Sequence, residues 1–211
     1  MVVTPHLSES ICHRQQAVER WACRRLGSIV HELRVKEITL KLFDLTWPLH
    51  GLRIPDRRLL ALAAVVHDVG RSVDDQTHPQ QGRKLLERAE HLPLSPATRR
   101  ALMYLTRYHR GDVPEARADD ILRRDDDQEK VRVLLALLRA ADSLDSRSIE
   151  SPRLVFALRD RRLHITCYLD EDTPRARKVY GRRKKFRLLE ELLDCRVELH
   201  IVQAEQLQMV A

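Results

Sequence analysis

Apolar residues recur every three or four positions through the first 150 residues, a spacing that is typical of amphipathic helices. The segment 28–49 illustrates the pattern, and its apolar stripe consists of His31, Val35, Ile38, Leu42 and Leu45. His31 is therefore expected on the buried face of its helix. The same reasoning predicts further helices over 8–26, 54–68, 80–90, 96–109 and 131–145, with a charged loop over 110–127.

The pattern changes after Pro152, where apolar and polar residues alternate. Two alternating stretches, 154–158 and 163–169, are separated by charged residues and predict a β-hairpin. A helix over about 175–194 and a third strand over 197–201 are expected to follow. The sequence therefore predicts a mainly α protein. A helical domain over residues 1–150 carries a small ββαβ (α+β) subdomain, 151–211, packed on it.

Composition narrows the classes of protein to consider. The six glycines form neither a dinucleotide-binding fingerprint nor a phosphate-binding P-loop. The four cysteines are isolated, which favours a reducing compartment. The N-terminus lacks the layout of a signal peptide, and the longest apolar run, about 59–66, is too short to span a membrane. We therefore expect a cytoplasmic protein with no membrane segment.

An alanine-rich apolar helix runs directly into His67 and Asp68 and is stopped by Gly70. A carboxylate buried without a partner is costly, so Asp68 should be paired with a cation or a metal ion. Imidazoles and carboxylates from separate segments, most of which end or interrupt an apolar stripe, are candidates to complete such a site. They are His31, His78, His109 and Asp142.

Imidazole and carboxylate ligands suit Mn, Fe, Ni or Zn, with Mg as a further candidate, and the lack of cysteine among them argues against a structural zinc site. Four ligands would complete a site for one divalent metal ion. All six would allow two ions bridged by Asp68, an arrangement that is used in phosphoryl hydrolysis. The alternative for each histidine taken alone is a hydrogen-bonded core residue. The complete set with its spacing favours the metal site.

The order of these residues resembles a known signature. His31, then His67-Asp68, then Asp142 is similar to the HD superfamily of metal-dependent phosphohydrolases. His78 together with Tyr108-His109-Arg110 resembles the additional histidines of bimetallic members such as the HD-GYP phosphodiesterases. Longer stretches resemble the C-terminal HD region of the exopolyphosphatase/guanosine pentaphosphate phosphatase (Ppx/GppA) family. They are 29–50, Val66–Arg71, Arg107–Arg110 and Leu137–Asp145, and with the ββαβ tail the similarity extends over about 15–202.

The resemblance implies an HD-domain helical bundle and a phosphorylated small molecule, a nucleotide or polyphosphate, as ligand. Members of the family hydrolyse their substrate in an N-terminal actin-like domain, which these 211 residues do not contain. Exopolyphosphatase activity is therefore not implied for this sequence. The HD region of that family is often an accessory part in which metal residues are lost. The full ligand set is present here, which favours a working metal site.

The hypothesis for a working site assigns His31, His67, Asp68 and Asp142 to a first metal ion, and Asp68, His78 and His109 to a second. The expected catalytic residues are Asp68, which holds the metal, and Arg71 and Arg110, which hold substrate phosphate. Arginine suits this task because its paired donors match phosphate oxygens. The alternative for both arginines is a solvated side chain.

The net charge of +7 favours polyanionic partners, and the segment 175–187 is densely basic. Its candidates for binding polyphosphate, nucleic acid or an acidic partner are Arg182, Arg183, Lys184 and Lys185. The alternative is a solvated helix face, because aromatic residues in this segment are few. One interpretation of Asp145 is that it supports Asp142; the favoured one is that it caps its helix or faces outward as a partner of Arg147. The remaining histidines considered, expected at the surface, are His50, His91, His164 and His200.

Several classes of function remain open on the sequence. The first is a metal-dependent phosphohydrolase acting on a nucleotide or other phosphate ester. The second is a non-catalytic module that binds polyphosphate or a (p)ppGpp-like alarmone through its basic surface. A nucleic-acid-binding role for 175–187 is the third. The edge of the predicted hairpin could also pair with a second copy of the chain, which makes a homodimer a further candidate.

Overall fold

The computed structural model describes residues 5–115, 118–171 and 173–204, with side chains from residue 12 onward. Within these ranges the first two thirds are helical and a small sheet lies near the C-terminus. The predicted mainly α fold with a small C-terminal sheet is thereby confirmed.

The helices of the body lie close to their predicted positions. They are α1 (Pro5–Leu26), α2 (Val30–Leu45), α3 (Trp47–His50), α4 (Ile54–Val66), α5 (His78–Arg88), α6 (Pro96–Tyr108) and α7 (Gln128–Asp142), with a 3-10 turn at Val69–Ser72 after α4. The single helix predicted over 28–49 is wrong. Helix α2 ends at its C-cap Thr46, and Pro48 lies in the first turn of a separate short helix, α3, where proline is favoured. Helix α7 begins earlier than predicted because the Asp127 side chain accepts a hydrogen bond from the Lys130 N–H.

Helix α4 lies at the centre of the bundle, where it contacts α1, α2, α6 and α7. All of its residues from Leu60 to Val66 are buried. A helix packed on several sides needs no polar face, which explains why this segment is apolar all round. The residues that follow it, His67 and Asp68, are consequently delivered to the middle of the body.

Two glycines allow the segments after α4 to pack backbone against backbone. A Cβ at Gly70 would lie 2.0 Å from the carbonyl oxygen of His78, and one at Gly82 would lie 2.6 Å from Thr106 Cγ2. Only glycine permits approaches this close. The 3-10 turn, α5 and α6 are therefore drawn together at the point where each carries a candidate ligand.

The sheet has the order β1-β2-β3 and consists of β1 (Arg153–Arg159), β2 (Arg162–Leu169) and β3 (Arg196–Gln203). Strands β1 and β2 form the predicted antiparallel hairpin, whose two-residue turn at Asp160 and Arg161 has positive φ at both positions, as a type I′ turn requires. Strand β3 pairs in parallel with β2.

The connection between β2 and β3 differs from the prediction. The helix expected over 175–194 is divided into α8 (Pro174–Tyr180), a 3-10 turn at Arg183–Lys185 and α9 (Arg187–Leu193). Gly181 ends α8, since glycine is a poor helix former, and the chain turns so that Phe186 enters the core. The basic segment is therefore not one solvated helix face.

The sheet and α9 share one hydrophobic core with the helices, whereas Leu169, Ala176 and Tyr180 form a smaller cluster of their own. Buried side chains of the sheet and of α9, among them Leu163, Ile165 and Leu189, belong to the same cluster as Leu135 and Leu138 of α7. This packing fixes the segment between α8 and α9 beside the C-terminal end of α7.

Candidate metal centre

The six candidate metal ligands come from five segments and meet inside the body. Each side chain lies at or near the end of a helix, and each is at most 7% exposed. They are His31 on α2, His67 and Asp68 after α4, His78 at the start of α5, His109 after α6 and Asp142 at the end of α7.

Two groups of three side chains share Asp68: the first is His31, His67 and Asp68, which Asp142 adjoins, and the second is Asp68, His78 and His109. In the first group the Nε2 atoms of His31 and His67 each lie 3.5 Å from Asp142 Oδ1, and the same two atoms lie 4.0 and 3.8 Å from the Asp68 carboxylate. The second group is tighter. Asp68 Oδ1 lies 3.1 Å from His78 Nε2 and 3.2 Å from His109 Nε2, and these two nitrogens are 3.1 Å apart.

Each of the four rings is oriented through its Nδ1 atom, which lies 2.7 Å from an acceptor oxygen. The pairs are His31 with Asp145 Oδ2, His67 with the Ala64 carbonyl, His78 with the Asp75 carbonyl and His109 with the Thr106 carbonyl. A carbonyl oxygen can only accept, so in these pairs the ring Nδ1 carries the hydrogen. Every Nε2 is thereby turned towards the shared space.

The charges in the two groups differ. Burial lowers the pKa of His109 to about 4, so this ring is neutral and its Nε2 bears a lone pair. Burial also opposes the charged form of His31, but the adjacent carboxylates of Asp142 and Asp145 outweigh it and raise the pKa of His31 to about 9. Burial likewise opposes ionisation of Asp68 and Asp142, yet their histidine neighbours hold the pKa of each carboxyl well below its usual range.

The donor set fits a divalent metal ion. Buried atoms without a hydrogen-bond partner among the described residues include His31 Nε2, His67 Nε2, Asp68 Oδ1 and Asp142 Oδ1. Such atoms are costly unless something absent from the protein satisfies them. Bonds of about 2.0–2.2 Å to a tetrahedral ion separate its ligands by about 3.3–3.6 Å, close to the spacings found here. These buried histidine and aspartate clusters could therefore hold a metal ion.

Two arginines take the other side of Asp68. Arg71 Nε lies 2.6 Å from Asp68 Oδ2 and Arg147 Nε lies 3.2 Å from it. Arg147 also pairs with Glu32, which is fully buried. Glu32 was not among the residues predicted for the site, and Arg147 was predicted only as an outward partner of Asp145. A signal for Glu32 existed, because it shares a helical stripe of α2 with the buried Val35 and with Leu42.

A cleft of about 540 Å³ opens beside the first group. Its cationic lining residues are Arg71, Arg110, Arg147, Arg182 and Lys185. Arg110 Nε lies 3.6 Å and Lys185 Nζ 3.9 Å from Asp142 Oδ2. The two arginines predicted to hold phosphate thus line the same cleft, and the C-terminal part of the chain contributes two further cations to it.

The basic segment divides between two surroundings. Arg182 and Lys185 line the cleft, whereas Arg183 bonds to Glu190 at 3.1 Å and Lys184 is exposed. The tail is therefore connected to the candidate centre through half of the predicted polyanion-binding residues.

The expectation that Asp145 faces outward or caps α7 is wrong. Asp145 is buried, and besides His31 it accepts hydrogen bonds from Arg34 Nε at 3.0 Å and from the Ser151 hydroxyl. Its partners follow from the irregular chain after α7, which places position 145 beside α2. His50 is half-buried and bonded to the backbone of Phe43 and Leu52 rather than lying free at the surface.

The sequence of residues 11–171 matches the family model for Ppx/GppA phosphatase, domain III. The chain belongs to this family. The match ends before α8, so the α8–β3 part of this Ppx/GppA domain III protein lies outside it. No curated protein matches the chain. None of the helices in the described ranges is long and apolar enough to cross a membrane.

Proposed function

We propose that this Ppx/GppA domain III protein is an HD-type metal-dependent phosphohydrolase acting on a nucleotide or other phosphate ester. One observation carries the proposal: unsatisfied nitrogen and oxygen atoms from α2, from the end of α4 and from α7 converge beside a cleft lined by cations. A purely structural cluster would leave these buried atoms without compensation. A metal centre facing a phosphate-binding cleft accounts for both features together.

In this proposal His31, His67, Asp68 and Asp142 hold one ion, and Asp68, His78 and His109 hold a second. When bound, a divalent ion supplies activation of water and neutralisation of charge on phosphorus oxygens. The protein's part is positional. Each Nδ1 anchor fixes its ring, and the buried carboxylates stay ionised because of the neighbouring histidines.

The arginines bind and orient the substrate phosphate. Arg71, Arg110 and Arg147 line the cleft beside Asp68 and Asp142, where a phosphate group would meet several guanidinium donors at once. The half-enclosed position strengthens these contacts relative to open solvent. These donors would hold the phosphorus atom in a fixed position beside the metal ligands.

A second candidate function is non-catalytic binding of polyphosphate or an alarmone. It is favoured by Arg182 and Lys185, which add cations to the cleft from outside the helical body. We propose accordingly that the helical domain, 1–150, supplies the metal ligands and that the C-terminal subdomain, 151–211, supplies one wall of the ligand cleft. A reducing cytoplasm is the proposed compartment, in keeping with the four free cysteines. Homodimer formation through a sheet edge and nucleic-acid binding stay proposals from the sequence.

The test is elemental analysis of protein purified without chelator or a histidine tag, with Asp68→Ala and His109→Gln as site variants. Asp120→Ala is the matched control, because its carboxylate is exposed and pairs with Arg83 rather than with a residue of the centre. We expect one or two equivalents of Mn, Fe, Ni, Zn or Mg at the buried centre. Asp68→Ala should lose them, His109→Gln should lose the ion of the second group, and the control should keep all of them. Circular dichroism checks that each variant remains folded.

The loaded protein is then screened against phosphomonoesters, phosphodiesters and nucleotides. Hydrolysis that disappears in Asp68→Ala supports the enzyme. Bound metal without hydrolysis, together with binding of polyphosphate or (p)ppGpp, favours the second candidate. Absence of metal even after reconstitution contradicts the metal centre itself.

A further inference from the structure

The outer face of the C-terminal sheet carries two histidines and a glutamate at adjoining positions. Along β2 and β3 the side chains alternate, so that Leu163, Ile165 and Val197 enter the core while their neighbours point to the opposite face. His164 and Glu198 are direct partners in the parallel register, and His200 is the next outward residue of β3. All three therefore stand on the same face within one pleat of each other.

The three side chains already approach one another. His164 Nδ1 lies 3.2 Å from Glu198 Oε2, and one potential ligand atom from each of His164, Glu198 and His200 lies within 4.8 Å of the other two. The second carboxylate oxygen of Glu198 is held by Arg162 at 2.6 Å. This contact orients the carboxylate and leaves Oε2 facing the imidazoles.

The surroundings leave room for an ion to enter. The side chains of His164 and Glu198 are 32% and 28% exposed, and His200 is exposed. On the other side of His164 the partner residue on β1 is Ala157, whose methyl group does not cover the imidazole. A simple His164–Glu198 ion pair would account for the contact between those two residues but not for the position of His200 beside them.

We propose that His164, Glu198 and His200 form a second metal site, separate from the buried centre, for an imidazole-binding divalent transition metal such as Zn²⁺, Ni²⁺ or Cu²⁺. Two imidazoles and one carboxylate form a ligand set that such ions accept. Three protein ligands leave a coordination position open to water or to a group from a partner. Because the site is built on the sheet, it does not depend on whether the buried centre is catalytic.

The test is titration of the metal-free full chain with Zn²⁺ by calorimetry, combined with elemental analysis after dialysis. The variants are His200→Ala and His164→Ala, and the control is His91→Ala, an exposed histidine outside the cluster. We expect each site variant to lose one equivalent of zinc or to bind it at least about tenfold more weakly, since even an outer-sphere change costs that much. The control should bind zinc as the unaltered protein does.

The Asp68→Ala variant distinguishes zinc bound at the sheet site from zinc bound at the buried centre. It should lose zinc from the buried centre while retaining the equivalent that His200→Ala loses. The imidazole NMR signals of His164 and His200 should shift on addition of this equivalent. Unchanged zinc stoichiometry and affinity in both His200→Ala and His164→Ala would overturn the proposal, whatever the buried centre does.

Discussion

Asp145 accepts the Nδ1–H of His31 at 2.7 Å, although the two residues are 114 positions apart in the chain. The contact joins α2 to the chain just beyond α7, and Arg34 Nε adds a second bond to the same carboxylate at 3.0 Å. Among the four rings of the centre, His31 is oriented by a side chain, whereas the other three are oriented by main-chain carbonyls.

Removing that carboxylate should weaken the first metal group without touching a ligand. In Asp145→Ala the His31 ring loses its anchor, and we expect metal affinity at this group to fall by about 10–100-fold. Competition with a chelating dye measures the change. Asp120→Ala, which alters an exposed carboxylate, should leave the affinity unchanged. Equal affinities in the two variants would contradict the orienting role.

Glu32 and Arg147 should be energetically coupled. Arg147→Met leaves the fully buried Glu32 carboxylate without this cation, so we expect a loss of about 1–3 kcal/mol in the free energy of unfolding. Glu32→Gln in the same chain should return part of that loss, because no charge then remains uncompensated. Urea denaturation of the two single variants and the double variant measures the coupling. Strictly additive losses would show that the pair is incidental.

Lys185 and its neighbour Lys184 should differ in their effect on phosphate binding. Lys185 lines the cleft and lies 3.9 Å from Asp142, whereas Lys184 is exposed. We expect Lys185→Ala to weaken binding of tripolyphosphate by about tenfold, equivalent to about 1.4 kcal/mol, and Lys184→Ala to leave it unchanged. Calorimetry at two salt concentrations makes the comparison. Similar losses in both variants would mean that the tail acts only through its overall charge.

Position 82 should require glycine because the Thr106 methyl group leaves no room for a Cβ atom. In an open helix, alanine would be favoured over glycine by about 1 kcal/mol. Here the new Cβ would lie 2.6 Å from Thr106 Cγ2, so we expect Gly82→Ala to destabilise the protein by about 1–3 kcal/mol.

The matched rescue is Thr106→Ser, which removes that methyl group and leaves the main-chain carbonyl that anchors His109. Gly82→Ala made in the Thr106→Ser background should cost much less than in the unaltered chain. Thermal unfolding of the four proteins decides the matter. An equal cost in both backgrounds would place the strain in the backbone approach to Gly70 instead.

Helical periodicity predicted which candidate ligands are buried. His31 shares a stripe with Val35, and His109 with Leu102 and Leu105, and the structure buries all of them. Periodicity predicts burial here because the repeat of a helix depends only on local sequence. A polar residue that shares the stripe of buried apolar residues is therefore buried with them. The hairpin was equally readable, because strand alternation is local too.

Contacts made by irregular chain were not readable in the same way. The inward turn of Asp145 and the position of Arg147 depend on the path taken after α7, which no periodicity describes. The break at Gly181 had a local signal that the density of basic residues obscured. The triad on the sheet requires the parallel register of β2 and β3, which is set by the connection between them rather than by either strand.

The three histidines His67, His78 and His109 each donate to the carbonyl three positions earlier in the chain. The main chain thus fixes the tautomer of these three rings, with the hydrogen on Nδ1. Substitution of neighbouring side chains leaves that tautomer unchanged as long as the turn is kept. Among the four rings, His31 alone is oriented by a distant side chain. A substitution at that distant position is therefore enough to remove the orientation of one ligand. In a relative without a carboxylate at position 145, three of the four imidazoles would keep their orientation and the fourth would lose it.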